Sequence, residues 1–232
     1  MDKPKALVSW SSGKDSAWAL NRLLKQGVFE IAGLITSLNA EYNRVAMHAV
    51  RRSLLEMQAK ELDLPLVTVP LPWPCSNEEY EAIWLRMLLQ AKEDLRISHI
   101  AFGDLFLEDV RSYRERQLLG TGVAPLFPLW GEPTSDLAEE MILSGVKAII
   151  TCVDPKQLSA EFAGREFDRS LLLSLPSTAD ACGEKGEFHT FVWSSPDFAH
   201  PLQVETGEIV EREGFVFADI ISIETSDASK EK

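Results

Sequence analysis

Six small or polar residues, Ser11-Ser12-Gly13-Lys14-Asp15-Ser16, separate a strand-like run, Lys5 to Trp10, from a stretch with helical periodicity. This junction constrains the fold more than any other feature. A strand that passes straight into a helix must let that helix pack back over the sheet, so the next strand lies parallel to the first. Ala17, Leu20 and Leu24 fall at spacings of three and four and line one face, which predicts a helix from Lys14 to Gln26 that Gly27 ends. The pattern then repeats. Ile31 to Thr36 reads as a second strand, and Met47, Val50, Leu54 and Met57 as a helix running to the Leu64-Pro65 boundary. Leu66 to Val69 reads as a third strand and Pro70 to Pro74 as a loop. Asn77 is the expected cap of a helix carrying Tyr80, Ile83, Met87, Ala91 and Leu95, and Ser98 to Phe102 supplies a fourth strand.

Beyond Gly120 the texture changes, with Pro125, Pro128 and Pro133 punctuating the chain. One more helix (Ser135 to Ser144) and strand (Lys147 to Cys152) precede a loop-rich region. There GEFHTFVW, PLQVE, GEIVERE and GFVFADIISIE alternate short strands with glycine turns, which suggests antiparallel pairing. The expected fold class is α/β: a Rossmann-like parallel-sheet nucleotide-binding domain over residues 1–130, then a smaller α+β domain over residues 131–232. A polar tail after Thr225 is expected to fray.

The position of Ser11 to Ser16 makes it a phosphate site. Small residues let the backbone curl, the first amides of the helix point out with the positive end of its dipole, and hydroxyls plus the Lys14 ammonium complete an anion cradle. Lys14 is expected to bring charge to the phosphates and little packing, and Asp15 a carboxylate able to hold Mg²⁺. Capping alone would favour Ser and Asp here, but it gives no reason for Gly-Lys-Asp-Ser in that order. The kinase-type loop GxxxxGK followed by Ser or Thr is absent, and Gly120-Thr121-Gly122 does not continue into GxGxxG.

The stretch resembles the SGGKDS signature of the PP-loop ATP pyrophosphatases, with Ser12 where the first glycine usually sits. In that superfamily the loop holds the pyrophosphate end of ATP, and chemistry at the α-phosphate gives an adenylated substrate and pyrophosphate. Further matches, in order, resemble the diphthine-ammonia ligase family: Gly103-Asp104, Pro128-Leu129-Trp130, Ala163-Gly164-Arg165, and Cys182-Gly183-Glu184-Lys185-Gly186-Glu187-Phe188-His189-Thr190-Phe191. These resemble its GD, PLW, LGR and GE-x-GE-F/Y-x-TF signatures over about residues 5–195. The resemblance implies that Ser11, Ser12, Gly13, Lys14, Asp15, Ser16, Gly103 and Asp104 bind ATP, with Asp15 holding Mg²⁺. It assigns Arg165, Gly183, Gly186, His189 and Thr190 to the acceptor or ammonia site, and catalytic roles to Lys14, Asp15, Glu184 and Glu187. His189 stands where the archaeal and eukaryotic pattern has Glu, and Arg111-Ser112-Tyr113-Arg114-Glu115 replaces the usual YQRxRxE.

The implied reaction adenylates a carboxylate, releases AMP and pyrophosphate, and amidates the product with ammonia. The acceptor is diphthine on elongation factor 2 in an archaeal or eukaryotic setting and a different carboxylate elsewhere. The rival readings are a PP-loop enzyme adenylating another small molecule or a tRNA, and a non-catalytic nucleotide-binding protein. Thirty-six acidic against 23 basic residues leave a charge of −13, which argues against a nucleic-acid partner. Arg111, Arg114 and Arg116 lie among Glu108, Asp109 and Glu115 and read as a mixed-charge helix face. Cys75, Cys152 and Cys182 are isolated, so neither a disulfide framework nor a metal cluster is expected. No apolar run reaches the ~18 residues of a membrane span, and the expected location is the cytoplasm. The oligomeric state stays open, a homodimer included.

Overall fold

In chain order, the elements of the first half are β1 (Lys5–Ser9), α1 (Lys14–Gln26), β2 (Glu30–Asn39), β3 (Arg44–Val45), α2 (Arg52–Glu61), β4 (Leu66–Leu71), α3 (Asn77–Leu95), β5 (His99–Ala101), α4 (Glu108–Leu118) and β6 (Ala124–Leu126). They belong to a computed structural model that describes residues 3–45 and 50–223. The expected helix after β1 has the predicted bounds, and Gly27 ends it in the left-handed region at φ 64°.

β1 pairs parallel with β2 on one side and with β5 on the other; β4 lies parallel beyond β2, and β6 beyond β5. The chain therefore winds outward through β2 and β4, then returns across β1 to β5. In an open parallel sheet, ligands bind beyond the carboxyl ends of the strands at such a reversal. Ser11 to Ser16 follows β1 and Gly103-Asp104 follows β5, so the reversal brings both to one place. Burial on both sheet faces explains the apolar strands: Val8 and Trp10 join a core with α1 and α2, while Leu7 faces Trp84 and Leu88 of α3.

The second half holds α5 (Thr134–Leu143), β7 (Lys147–Val153), α6 (Arg169–Ser174), β8 (Phe188–Ser194), β9 (Val204–Arg212) and β10 (Phe215–Ser222). Its four strands form the expected antiparallel sheet, ordered β8-β7-β10-β9. Ile150, Phe188 and Phe191 share one continuous core with Trp18 and Leu20 of α1. On the rim, Asp219 of β10 pairs with Arg44 at 2.9 Å and also with Arg51, tying the second sheet to the first.

Local differences have physical causes. α2 starts at Arg52, because Arg51 is held extended (φ −66°, ψ 143°) in an antiparallel bridge to Arg44. Met47 and His48 lie outside the described residues, as does the tail after Thr225. The cap of α3 is Ser76, not Asn77. Ser76 Oγ accepts from Glu79 N at 3.2 Å while the Glu79 carboxylate accepts from Ser76 N at 3.0 Å, a reciprocal capping box.

Candidate active site

The β1–α1 turn is held from behind by backbone contacts. Ser12 adopts φ 72°, a conformation that favours glycine, which fits the glycine the resemblance expects there. Its carbonyl accepts from Val192 N at 2.9 Å and from Gln58 Nε2 at 3.1 Å. Gly13 is the N-cap of α1 and supplies no side-chain acceptor. Lys14 N donates to Thr190 Oγ1 at 3.1 Å, and a Cβ on Gly13 would lie 3.2 Å from Thr190 O. Thr190 thus shapes the turn directly. Ser16 Oγ donates to Gly13 O at 2.9 Å and lies 3.3 Å from Ser11 Oγ. Gly103 closes the other side: a Cβ there would come within 2.8 Å of the Asp15 carbonyl carbon, so only glycine lets β5 approach the first turn of α1.

Lys14 departs from the expectation of little packing. It is 2 % exposed, turned inward between the rings of Phe167 (5.4 Å) and Phe188 (5.3 Å). Its ammonium donates to both Asp15 oxygens, at 3.0 and 2.9 Å, and to the carbonyl of Cys182. Burial works against that charge, but Asp15, with Cys182 and Glu184, outweighs it and holds the Lys14 pKa above its ordinary value. Lys14 thereby fastens the turn to the segment before β8.

In that segment, 180–187, the two glutamates do different work. Glu187 is 1 % exposed, and its oxygens accept from Asp180 N (2.8 Å) and Lys185 N (2.9 Å), so its carboxylate is engaged in holding the loop. Asp180, which the sequence did not single out, accepts from Cys182 N at 2.9 Å and Glu184 N at 3.2 Å, and its other oxygen takes the Thr134 hydroxyl at 2.5 Å. Gly183 turns at φ 70°, and a Cβ there would meet Phe188 O at 2.7 Å; Gly186, at φ 84°, faces open space.

Glu184 reaches across to the turn after β5. It accepts from Leu105 N at 2.7 Å, and burial, with Asp15 and Asp104 adding to it, pushes its pKa up to about 7. Burial likewise raises Asp104, against the pull of Arg114. His189 is held neutral, its pKa lowered to about 4 by burial and by the Lys14 charge. Arg165 is not drawn into this cluster: its guanidinium lies 4.7 Å over Phe162.

A cleft of about 1070 Å³ opens beside the turn, with Ser11, Thr36, Ser37, Arg114 and His189 on its wall. An adenine nucleotide fits the residues present. The end of α1 lacks a side-chain cap, and Ser12 Oγ and Thr36 Oγ1 are buried with no hydrogen-bond partner. Mg²⁺ takes most of its ligands from phosphates and water, with one or two carboxylates. Asp15 meets that need only by sharing its oxygens with Lys14, and no cluster of three or more metal-binding side chains occurs among the described residues.

Sequence reasoning missed Gln58, fully buried, which accepts from Trp10 Nε1 at 2.8 Å and donates to Ser12 O and Val192 O. Its signal was a polar residue one helical turn after Leu54, on the buried face. Arg114 was folded into a mixed-charge face. That description suits Arg111, paired with Glu115 at 2.9 Å, but Arg114 turns towards the cleft.

The family model for the diphthamide synthase N-terminal domain matches residues 4–124, and that for the C-terminal domain matches residues 133–226. The bovine protein named diphthine--ammonia ligase is 26% identical over 231 residues, covering 90% of this chain and 86% of its own. The rat protein of that name is 27% identical, covering 93% of this chain and 88% of its own. The fission yeast protein of that name is 25% identical over 89% of this chain but only 37% of its own length. No described helix is long and apolar enough to cross a membrane.

Proposed function

The chain belongs to the diphthamide synthase family, and on that premise we propose an ATP-dependent, amide-forming ligase that adenylates a carboxylate, releases AMP and pyrophosphate, and amidates the product with ammonia. The observation that carries the reading is the meeting of two distant segments at the carboxyl ends of β1 and β5. The β1–α1 turn offers helix-end amides to phosphates, and Glu184, 168 residues beyond Ser16, lies against the turn after β5. The acceptor in this reading is diphthine, the substrate in the relatives' name. The units supplying the two halves are residues 1–130 and 131–232.

The chain's own residues divide the work. Ser11, Gly13 and Ser16, with the first amides of α1, hold the phosphates, where the helix dipole favours negative charge. Thr190, Ser12 O, Gln58 and Gly103 fix the turn, so little reorganisation is needed as charge builds at the α-phosphate. Asp15 and Asp104 are the carboxylates placed to hold Mg²⁺, which would neutralise phosphate charge when bound. Glu184, with a pKa of about 7, suits the proton that ammonium must lose before nitrogen attacks the activated carboxyl. Glu187 and Lys14 are positioning residues, and His189 lines the cleft as a neutral hydrogen-bonding group.

Product analysis tests this. Incubation with ATP, ammonium and elongation factor 2 carrying diphthine should yield AMP and pyrophosphate in step with amide formation. ADP and orthophosphate would refute it.

A further inference from the structure

We propose that Arg114 is the cation that binds the β- and γ-phosphates of ATP, the part expected of Lys14; this deepens the ligase reading and rests on it. A triphosphate entering a chain of net charge −13 needs a positive side chain near the helix end, and Lys14 is turned away beneath Phe167 and Phe188. Arg114 lines the same cleft as Ser11. Its guanidinium lies 5.0 Å from the ring centre of Phe102 and 6.0 Å from that of Tyr113, which help to set it in place. Such ring contacts hold a guanidinium while leaving its N–H edges free to donate.

Those edges have little to do. Arg114 Nε is buried without a hydrogen bond, and so is Asp104 Oδ2; the two stand 3.8 Å apart, beyond hydrogen-bond reach. Two facing buried groups that miss a hydrogen bond are costly, so Asp104 engages this guanidinium only weakly, through charge. Asp104 also places Arg114 with respect to the turn. It follows Gly103, whose Cα packs on the backbone of Asp15, and its carboxyl responds electrostatically to both Arg114 and Asp15. The other cleft arginines are situated differently: Arg44 is bonded to Asp219 at 2.9 Å, and Arg212 is exposed at the end of β9. A phosphate must compete with Asp104 for the guanidinium, a contest that bidentate geometry and a higher anionic charge favour.

Calorimetric titration tests the proposal, with α,β-methylene-ATP and AMP as probes and without turnover. Arg114→Gln should weaken α,β-methylene-ATP by about 10- to 100-fold, the range of a lost charged hydrogen bond, and change AMP by less than about threefold. Arg114→Lys, which keeps charge but loses the fork, should fall between wild type and Gln, and it serves as the readout if the Gln variant does not fold. Unchanged affinity for α,β-methylene-ATP in a folded variant would overturn the assignment. Equal losses for both probes would also overturn it, because they would place Arg114 on the nucleoside half. A wild-type protein that binds neither probe would overturn the ATP reading itself, an outcome separable from the failure of Arg114 alone.

Discussion

The β1–α1 turn and the 180–187 loop are both short, glycine-bearing and rich in polar groups, yet they use those groups in opposite ways. In the turn, small residues curl the backbone, and the Ser11 and Ser16 hydroxyls stand 3.3 Å apart beside it. In the loop two carboxylates are turned onto its own backbone. Asp180 and Glu187 bind the loop's own amides, and of its carboxylates Glu184 alone reaches across to the turn after β5. A loop can thus carry a motif in which two of three acidic residues build the shape and the third reaches out of it.

Lys14 crosses between the regions, so its removal should produce the largest effect. Lys14→Met leaves the Asp15 carboxylate without its cation and should cost about 3 kcal/mol in urea unfolding, since breaking a buried pair strands a charge. Affinity for ATP should stay within about threefold. A stable variant with lost affinity would reverse the division of labour drawn above.

Glycine substitutions sharpen the comparison at the next level. Gly183→Ala adds left-handed strain and a contact with Phe188 O, for a loss of about 2 to 4 kcal/mol, whereas Gly186→Ala meets open space and should cost about 1 kcal/mol. Equal losses by thermal denaturation would mean that the close approach at Gly183 does not shape the loop. Glu187→Gln should cost about 1 to 2 kcal/mol, because one oxygen that accepts a backbone amide becomes a donor facing it.

A pH dependence tests the burial beside the turn. The His189 pKa is lowered to about 4 from 6.5, so the unfolded chain takes up the proton first, and stability should fall as pH drops from 6.5 towards 4. His189→Gln should flatten that limb of the stability profile; an unchanged slope would show that the imidazole is not held neutral by burial.

The strand, turn and helix at the start were legible because each is set by neighbours in sequence: alternation in Lys5 to Trp10, spacing of Ala17, Leu20 and Leu24, and the stop at Gly27. The direction of Lys14 was not legible. A lysine at the first helical position can swing either way, and the deciding acceptor is the carbonyl of Cys182, 168 residues on. Glu184 and Glu187 read alike for the same reason, since only the left-handed turns at Gly183 and Gly186 decide which carboxylate is folded inward. Arg114 was hidden by its charged neighbours, because one helix face carries the Arg111–Glu115 pair while another meets the cleft.

The proposed function divides the reaction into two separable half-reactions, activation at the turn and proton removal by Glu184. The Glu184 pKa is raised from 4.5 to about 7 by burial, so it destabilises the fold as pH rises through that window, a perturbation of the kind that clusters at functional sites. The direct measurement is rapid-quench analysis of Glu184→Gln, with ATP–pyrophosphate exchange for the first half and amide formation from ammonium for the second. Exchange should stay near wild type while amide formation slows by about 10² to 10⁴ and loses its inflection near pH 7. Loss of both half-reactions together, or of neither, would contradict the account.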